Sequence, residues 1–400
     1  MKLRLSAVVL LVLLTSVGIR AQDRCEPPYG RHAPTVHVSA TTRSALQSAV
    51  CAVADHGTIF LARGVYHEQI VITHKRVTIV GEGHPNQPED WPQLRADTPE
   101  TLVPAERAEG TITVGDGASV TMRQIRFVGG DAQIRVVGGA QSVDVTNASF
   151  EGGWRGVLHT SPSAALDVSF ARFVDQQWNG ITFSPHLAGM ICVRKLHVSH
   201  TFFGYQQNVG VLIKNCQPGD IGEGEALVLG LMLQGLDLQG QGGGGLLLYN
   251  SGPFHFVDID VSNAATFGIA AMGSSFSLNK GVIQNTLPRP ADGKGGDGIM
   301  LVPLGSAPDG RRSELGLTNF EIYNSARASI GNFGGAVTFT NITMGGAAFC
   351  LNGEDVNGFV DEWQSGGGVL CSNDPANEPY DECAVLTSSV TPPPDLSADP

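Results

Sequence analysis

Residues 119–183 read SVTMRQIRFVGGDAQIRVVGGAQSVDVTNASFEGGWRGVLHTSPSAALDVSFARFVDQQWNGITF. Within them an apolar–variable–apolar triplet returns three times, as Ile125-Arg126-Phe127, Ala148-Ser149-Phe150 and Ala171-Arg172-Phe173. Further along, the pattern continues as Leu196-His197-Val198, Leu236-Asp237-Leu238, Ile259-Asp260-Val261, Gly281-Val282-Ile283, Phe320-Glu321-Ile322 and Ile342-Thr343-Met344. Most central residues are polar, as period-two alternation requires of a strand with one buried face. Measured on the last residue of each triplet, the steps are 23, 23, 25, 40, 23, 22, 39 and 22 residues. A recurring period of this size marks a solenoid, in which each coil buries its apolar face against its neighbours. The two long steps read as coils with a loop insertion, or as a missed irregular coil.

A second strand follows most triplets and opens on a small residue. Examples are Gly156-Val157-Leu158-His159, Gly180-Ile181-Thr182-Phe183, Gly210-Val211-Leu212-Ile213, Gly245-Leu246-Leu247-Leu248, Gly268-Ile269-Ala270-Ala271 and Gly298-Ile299-Met300-Leu301. His159 aligns with Phe183 and Ile213 and is expected to point inward. Asn263, Asn285 and Asn324 each stand two residues past a triplet, and Asn accepts the left-handed backbone of a tight corner. The expected fold class is all-β: a right-handed parallel β-helix of about ten coils. Residues 43–54 place Ala45, Leu46, Ala49, Val50 and Val53 on one face of an amphipathic helix that caps the first coil, with Thr42 or Ser44 at its start.

Lys2 and Arg4 followed by the apolar run Leu5–Leu14 and the small residue Ala21 read as a signal peptide over 1–21. An N-terminal arm over 22–41, a single β-helix domain over 42–385 and a loose Ser-, Thr- and Pro-rich tail over 386–400 complete the division. The expected location is outside the cell, as a monomer without membrane insertion. Charged residues make up 16% of the chain and the net charge is −13, which argues against a nucleic-acid partner. Export permits disulfides, and Cys25, Cys51, Cys192, Cys216, Cys350 and Cys371 are the candidates; with Cys383 the count is seven, so not all can pair internally. Gly345-Gly346-Ala347-Ala348-Phe349-Cys350 recurs as Gly366-Gly367-Gly368-Val369-Leu370-Cys371, which would stack the two cysteines one coil apart. No Cys-x-x-Cys is present, and no cofactor or metal is expected. Asp292, Asp297 and Asp309 share an insertion open to calcium, but without a regular ligand spacing.

Residues 46–83 hold the helix, then Gly57-Thr58-Ile59-Phe60-Leu61, Gly64-Val65-Tyr66-His67-Glu68 and Val77-Thr78-Ile79-Val80-Gly81-Glu82-Gly83. This order resembles the start of pectin methylesterase-like proteins of the pectin lyase-like β-helix superfamily. The later coils are similar to that superfamily's repeats over roughly residues 40–372. The resemblance implies the fold. It leaves activity open among lyases, hydrolases, esterases, epimerases and non-catalytic adhesins. The catalytic signatures of those enzymes are absent or broken: Ser184-Pro185-His186-Leu187 lacks both acids of the epimerase Asp-Pro-His-Asp.

Trp154 and Trp178 lie one coil apart and can offer flat faces to sugar rings, or pack over loops. Arg155 and Lys214 belong to a basic stretch suited to an anionic glycan, or to ordinary surface charge. Asp175 and His200 occupy the corner position that Asn fills elsewhere, where an acid and an imidazole in adjacent coils would make a proton-transfer pair or simply satisfy the turn. Tyr205 lies in a lengthened turn nearby. These residues point to a secreted protein that binds an extracellular polysaccharide. Cleavage or epimerisation of a uronic-acid glycan by a lyase- or epimerase-like route is left open. The alternative is a non-catalytic structural or surface-adhesion β-helix.

Overall fold

The computed structural model describes residues 33–387, apart from 42–43, 106, 163, 185–189, 194, 200, 205–207, 219–226, 235–243, 290–291, 348 and 373–384. Alternation builds the strands. In Ser119–Val128 the side chains of Val120, Met122, Ile125 and Phe127 are buried, and Arg123 between them is exposed. Such strands pair in parallel, coil upon coil. Phe127, Phe150 and Phe173 are in register, and Phe203 continues the row. All four rings are fully buried and stack face to face, with centroids 4.9, 4.2 and 4.7 Å apart. The interior is one continuous apolar core along this axis.

Two parallel sheets run the length of the molecule, one with eighteen strands and one with twelve. The chain is a parallel β-helix. In the larger sheet most coils bend at a left-handed residue in mid-strand, including Gln124, Asn147, Phe170, Asp258, Lys280, Asn319 and Asn341. A second corner leads to the smaller sheet, and here Asn263, Asn285 and Asn324 adopt φ of 54, 55 and 52° as their spacing predicts. Asn side chains at both corners link coils: Asn341 Nδ2 donates to Asn319 Oδ1 at 3.1 Å, and Asn324 Nδ2 to Asn285 Oδ1 at 3.2 Å. The Gly that opens the second strand makes room for the aromatic row. A Cβ on Gly156 would lie 2.5 Å from the Phe173 ring, and one on Gly180 2.5 Å from Phe203.

Several expectations change. After Phe173 the triplet row passes through Thr201-Phe202-Phe203 and Leu231-Met232-Leu233 before reaching Ile259-Asp260-Val261. Leu196-His197-Val198 instead pairs with Leu166-Asp167-Val168, in the other half of the bent strand. Residues 236–238 lie outside the described residues, and the row is filled there by Leu231–Leu233. The expected arm contributes a strand, Ala33–Val38, paired with the strand after the helix. Val385–Thr387 pairs with Leu351–Gly353, so the sheet runs two residues into the expected tail.

The helix spans Ala45–Ala52 and buries Leu46, Ala49, Val50 and Cys51. Ser44 stands at its cap position without a side-chain bond; Thr42 lies outside the described residues. The Glu68 carboxylate, from the next coil, takes that role by accepting the N–H groups of Leu46 and Gln47 at 3.1 Å each. A carboxylate there satisfies orphan donors and complements the positive end of the helix dipole.

Cys51, Cys216 and Cys371 are disulfide-bonded, and Cys350 is a buried thiol. A Cys350–Cys371 bridge is therefore not formed. The two lie in different sheets: Cys371 pairs beside Met344, and Cys350 lies in Phe349–Glu354 against Ala328–Phe333. The two Gly-rich segments look alike but serve different corners. Cys25 lies outside the described residues, and of Cys192 only the strand Met190–Val193 is described.

Candidate functional site

The expected sites fall on the corner between the sheets, and the structure disperses them. Trp154 and Trp178 are in register, with the Trp178 N–H donating to the Trp154 carbonyl at 3.0 Å. The Trp154 indole is engaged elsewhere: its Nε1 donates to the Pro99 carbonyl at 3.0 Å. Both tryptophans are half-buried. Arg155 is 1% exposed, with Nη1 3.0 Å from Asp131 Oδ1 and Nη2 2.9 Å from the Val103 carbonyl. It clamps the segment 96–108 across the smaller sheet and does not face solvent. Burial pushes the Asp131 carboxyl above its ordinary value, against the pull of Arg155 and Arg135. Burial likewise lowers Arg135. The Lys214 ammonium sits 5.9 Å from the Tyr249 ring centroid, at the far end of its strand.

Asp175 is exposed at the corner with φ 61°. His200 and Tyr205 lie outside the described residues. On either side of position 200, Ser199 pairs with Ser169 and Phe202 with Arg172. His159 is fully buried, its ring tilted by 42° against Phe183 with the centroids 5.0 Å apart, where its alignment placed it. In the insertion, Asp292 is bound by Arg289, and the fully buried Asp297 by Arg327. Each carboxylate serves a local ion pair. The outer face of the smaller sheet is closed: Leu158, Leu212, Leu247, Ala270 and Met300 point away from the interior yet are all buried.

A different acid–imidazole pair is assembled on the larger sheet. Its outer face carries one polar side chain per coil in a single row: Thr58, Thr78, Thr121, Asp144, Asp167 and His197. Five steps of about 4.8 Å make the row roughly 24 Å long. His197 Nδ1 lies 2.9 Å from Asp167 Oδ2, and both side chains are about one-third exposed. A second row is one alternation further along each strand. Thr146 Oγ1 donates to Asp144 Oδ1 at 3.2 Å and lies 3.2 Å from Ser169 Oγ. Arg123 and Arg172 stand exposed nearby, Arg172 over the Phe202 ring at 5.8 Å, while Arg126 is neutralised by Glu151 at 2.6 Å. Bonds from Arg126 and Ser149 hold the Glu151 carboxyl below its ordinary value in spite of its burial. The row offers carboxylate acceptors, hydroxyls and an imidazole held by an acid, all accessible and evenly spaced.

The signal for this row was in the chain: Val143-Asp144-Val145-Thr146, Leu166-Asp167-Val168-Ser169 and Leu196-His197-Val198-Ser199 repeat one pattern. Among the described residues no group of three or more His, Cys, Asp or Glu is arranged to hold a metal ion, and no helix is long and apolar enough to cross a membrane.

No protein-family model matches the chain, and no curated protein matches it by sequence. Solved structures with a similar chain path include an alginate lyase from Paenibacillus sp. str. FPU-7, at 12% identity and a TM-score of 0.46, covering 84% of this chain and 99% of that one. A GH136 lacto-N-biosidase from Eubacterium ramulus is similar at 8% identity and a TM-score of 0.49, covering 83% of this chain and 67% of that one. Pectate lyase Pel9A is similar at 10% identity and a TM-score of 0.38, covering 89% of this chain and 80% of that one.

Proposed function

We propose that the chain is a secreted β-helix protein that binds an extracellular polysaccharide along the outer face of its larger sheet, over the coils that carry residues 119–199. The observation that carries this reading is the Asp167–His197 pair at 2.9 Å, set within a row of polar side chains that advances one coil at a time. The coil spacing of about 4.8 Å is close to the rise of one pyranose in an extended glycan. A glycan laid along the axis would meet a new acceptor or hydroxyl at each sugar. Carboxylates and hydroxyls that are held in place bind sugar diols with little ordering cost.

The geometry favours binding over turnover. Asp167 and His197 are each about one-third exposed on the outer face of the sheet, whereas catalysis on a glycan calls for a site that excludes water around the reacting atoms. His197 beside Asp167 can accept a proton, so chemistry at this face would begin there. The test is to measure retardation of the mature protein in native gels containing uncharged and uronic-acid polymers, while following unsaturated and reducing-end products. Asp167→Ala and His197→Ala should weaken retardation without changing the unfolding midpoint greatly. Retardation unchanged in both variants would reject this face as the binding site.

A further inference from the structure

We infer that the first coils of the larger sheet extend the binding face, and that its ligand is an extended, unbranched pyranose polymer read one sugar per coil; this rests on the polysaccharide-binding reading above. Thr35, Thr58, Thr78 and Thr121 stand in register on four consecutive coils. Their row runs on without a break into Asp144, Asp167 and His197. The seven positions make six steps of about 4.8 Å, a line roughly 29 Å long. Thr35 is exposed and the other three threonines are half-buried on the outer face. Among the described residues, none of the four hydroxyls is engaged in a hydrogen bond within the protein.

Strand propensity does not account for this row. Valine serves a strand position as well as threonine does, and Val80 stands on the same outer face two residues from Thr78. The position beside the threonines varies from coil to coil, through His37, Phe60, Val80 and Arg123. Over the first three coils the two rows together are amphipathic. His37 and Phe60 stack with their centroids 5.1 Å apart and their planes within 15°, and Val80 continues the apolar strip. The strip lies one alternation, about 7 Å, from the threonines. A pyranose offers C–H bonds on its face and hydroxyls at its edge, so a ring can rest on the strip and bond the threonine beside it. Threonine is stiff at χ1, and a hydroxyl fixed before binding loses little freedom on contact. The repeat selects the polymer. A chain whose sugars advance by about one coil spacing stays in step over the whole row, whereas a branched or curling chain meets it at one or two points. Arg123, exposed on the fourth coil, ends the strip and can meet a hydroxyl or a carboxylate, so the face selects by repeat and not by charge.

The experiment measures affinity by titration calorimetry and stability by thermal unfolding. The probes are 1,4-β-linked oligomers of glucose, mannose, xylose and mannuronate, each as trimer and hexamer, with a 1,3-β-linked glucose hexamer as the curling counterpart. The best-bound 1,4-linked hexamer is expected to bind on the order of 100-fold more tightly than its trimer, and more tightly than the 1,3-linked hexamer. The double variant Thr58→Val, Thr78→Val removes two hydroxyls and keeps side-chain shape and strand preference. It should weaken hexamer binding about ten-fold. The trimer, held at Asp144, Asp167 and His197, should bind it as it binds the parent, and the unfolding midpoint should not fall. Hexamers bound no more tightly than trimers, or an unchanged hexamer affinity in the double variant, would overturn the extension while leaving the Asp167–His197 face intact. A 1,3-linked hexamer bound as tightly as the best 1,4-linked one would overturn selection by repeat. No binding of the parent protein to any oligomer would reject both the inference and the reading on which it rests.

Discussion

Substituting Gly156 by alanine tests whether the glycine row exists to seat the phenylalanine row. A Cβ at 156 would lie 2.5 Å from Cδ1 and Cε1 of Phe173 and 2.6 Å from the Gly180 carbonyl oxygen. That carbonyl belongs to the next strand of the ladder and cannot move without disturbing its pairing. Overpacking costs about 1–3 kcal/mol, and a backbone clash puts this case near 2–3 kcal/mol. Phe173→Leu alone loses ring contacts at 4.2 and 4.7 Å, to Phe150 and Phe203, at about 0.5–1.5 kcal/mol each. If ring and methyl compete for one space, the double variant should be more stable than the sum of the singles implies, by about 1 kcal/mol. Urea unfolding followed by tryptophan fluorescence gives each value from the midpoint and slope. A neutral Gly156→Ala, or additive effects within about 0.5 kcal/mol, would refute the argument that the ring dictates the glycine.

Arg155→Ala leaves Asp131 buried without its partner, and the expected loss is about 3–5 kcal/mol. The segment 96–108 should then exchange its amide hydrogens faster than the coils beneath it, and unchanged exchange there would mean that Arg155 is not its clamp. Asp292 is held at about 2 by its hydrogen bonds from Arg289. Because the folded value lies below the ordinary 3.8, its contribution is fully present above pH 3.8 and disappears as pH falls through about 2. Asp292→Ala should therefore lower the melting temperature at pH 5, and its difference from the parent should shrink as pH falls toward 2 and vanish below it. Alkylation before reduction should modify Cys350 only after unfolding, and peptide mapping should find Cys51, Cys216 and Cys371 cross-linked. A Cys350–Cys371 peptide would contradict their placement in separate sheets.

Much of the architecture was legible because the signals were local and repeated. The Phe127, Phe150 and Phe173 row, the six glycine-opened strands and the left-handed Asn263, Asn285 and Asn324 all follow from spacing and residue type. The register failed where the alternation became ambiguous. Each long strand carries two apolar–x–apolar triplets, one on either side of its bend, as in Leu166-Asp167-Val168 and Ala171-Arg172-Phe173. Leu196-His197-Val198 fits either place by hydropathy, and only pairing with Leu166–Val168 decides. That one slip moved His197 off the row where it meets Asp167. The fate of Arg155 was hidden for another reason. Asp131 lies one coil back, 24 residues away, but Val103 belongs to the covering segment, 52 residues away, a separation that the coil period does not point to.

Coils of this protein differ widely in contour length, yet their pairings do not. Ile283 pairs directly with Ile322 although two excursions, over 285–296 and 303–313, leave the stack between them. Closing a longer excursion costs only about 0.6 kcal/mol per doubling of its length. Foreign segments spliced at those two corners should therefore be carried at little thermodynamic penalty, their anchors fixed by Gln284, Asp297, Val302 and Glu314. The molecule can serve as a rigid rail whose sidings are exchangeable while its track gauge stays constant.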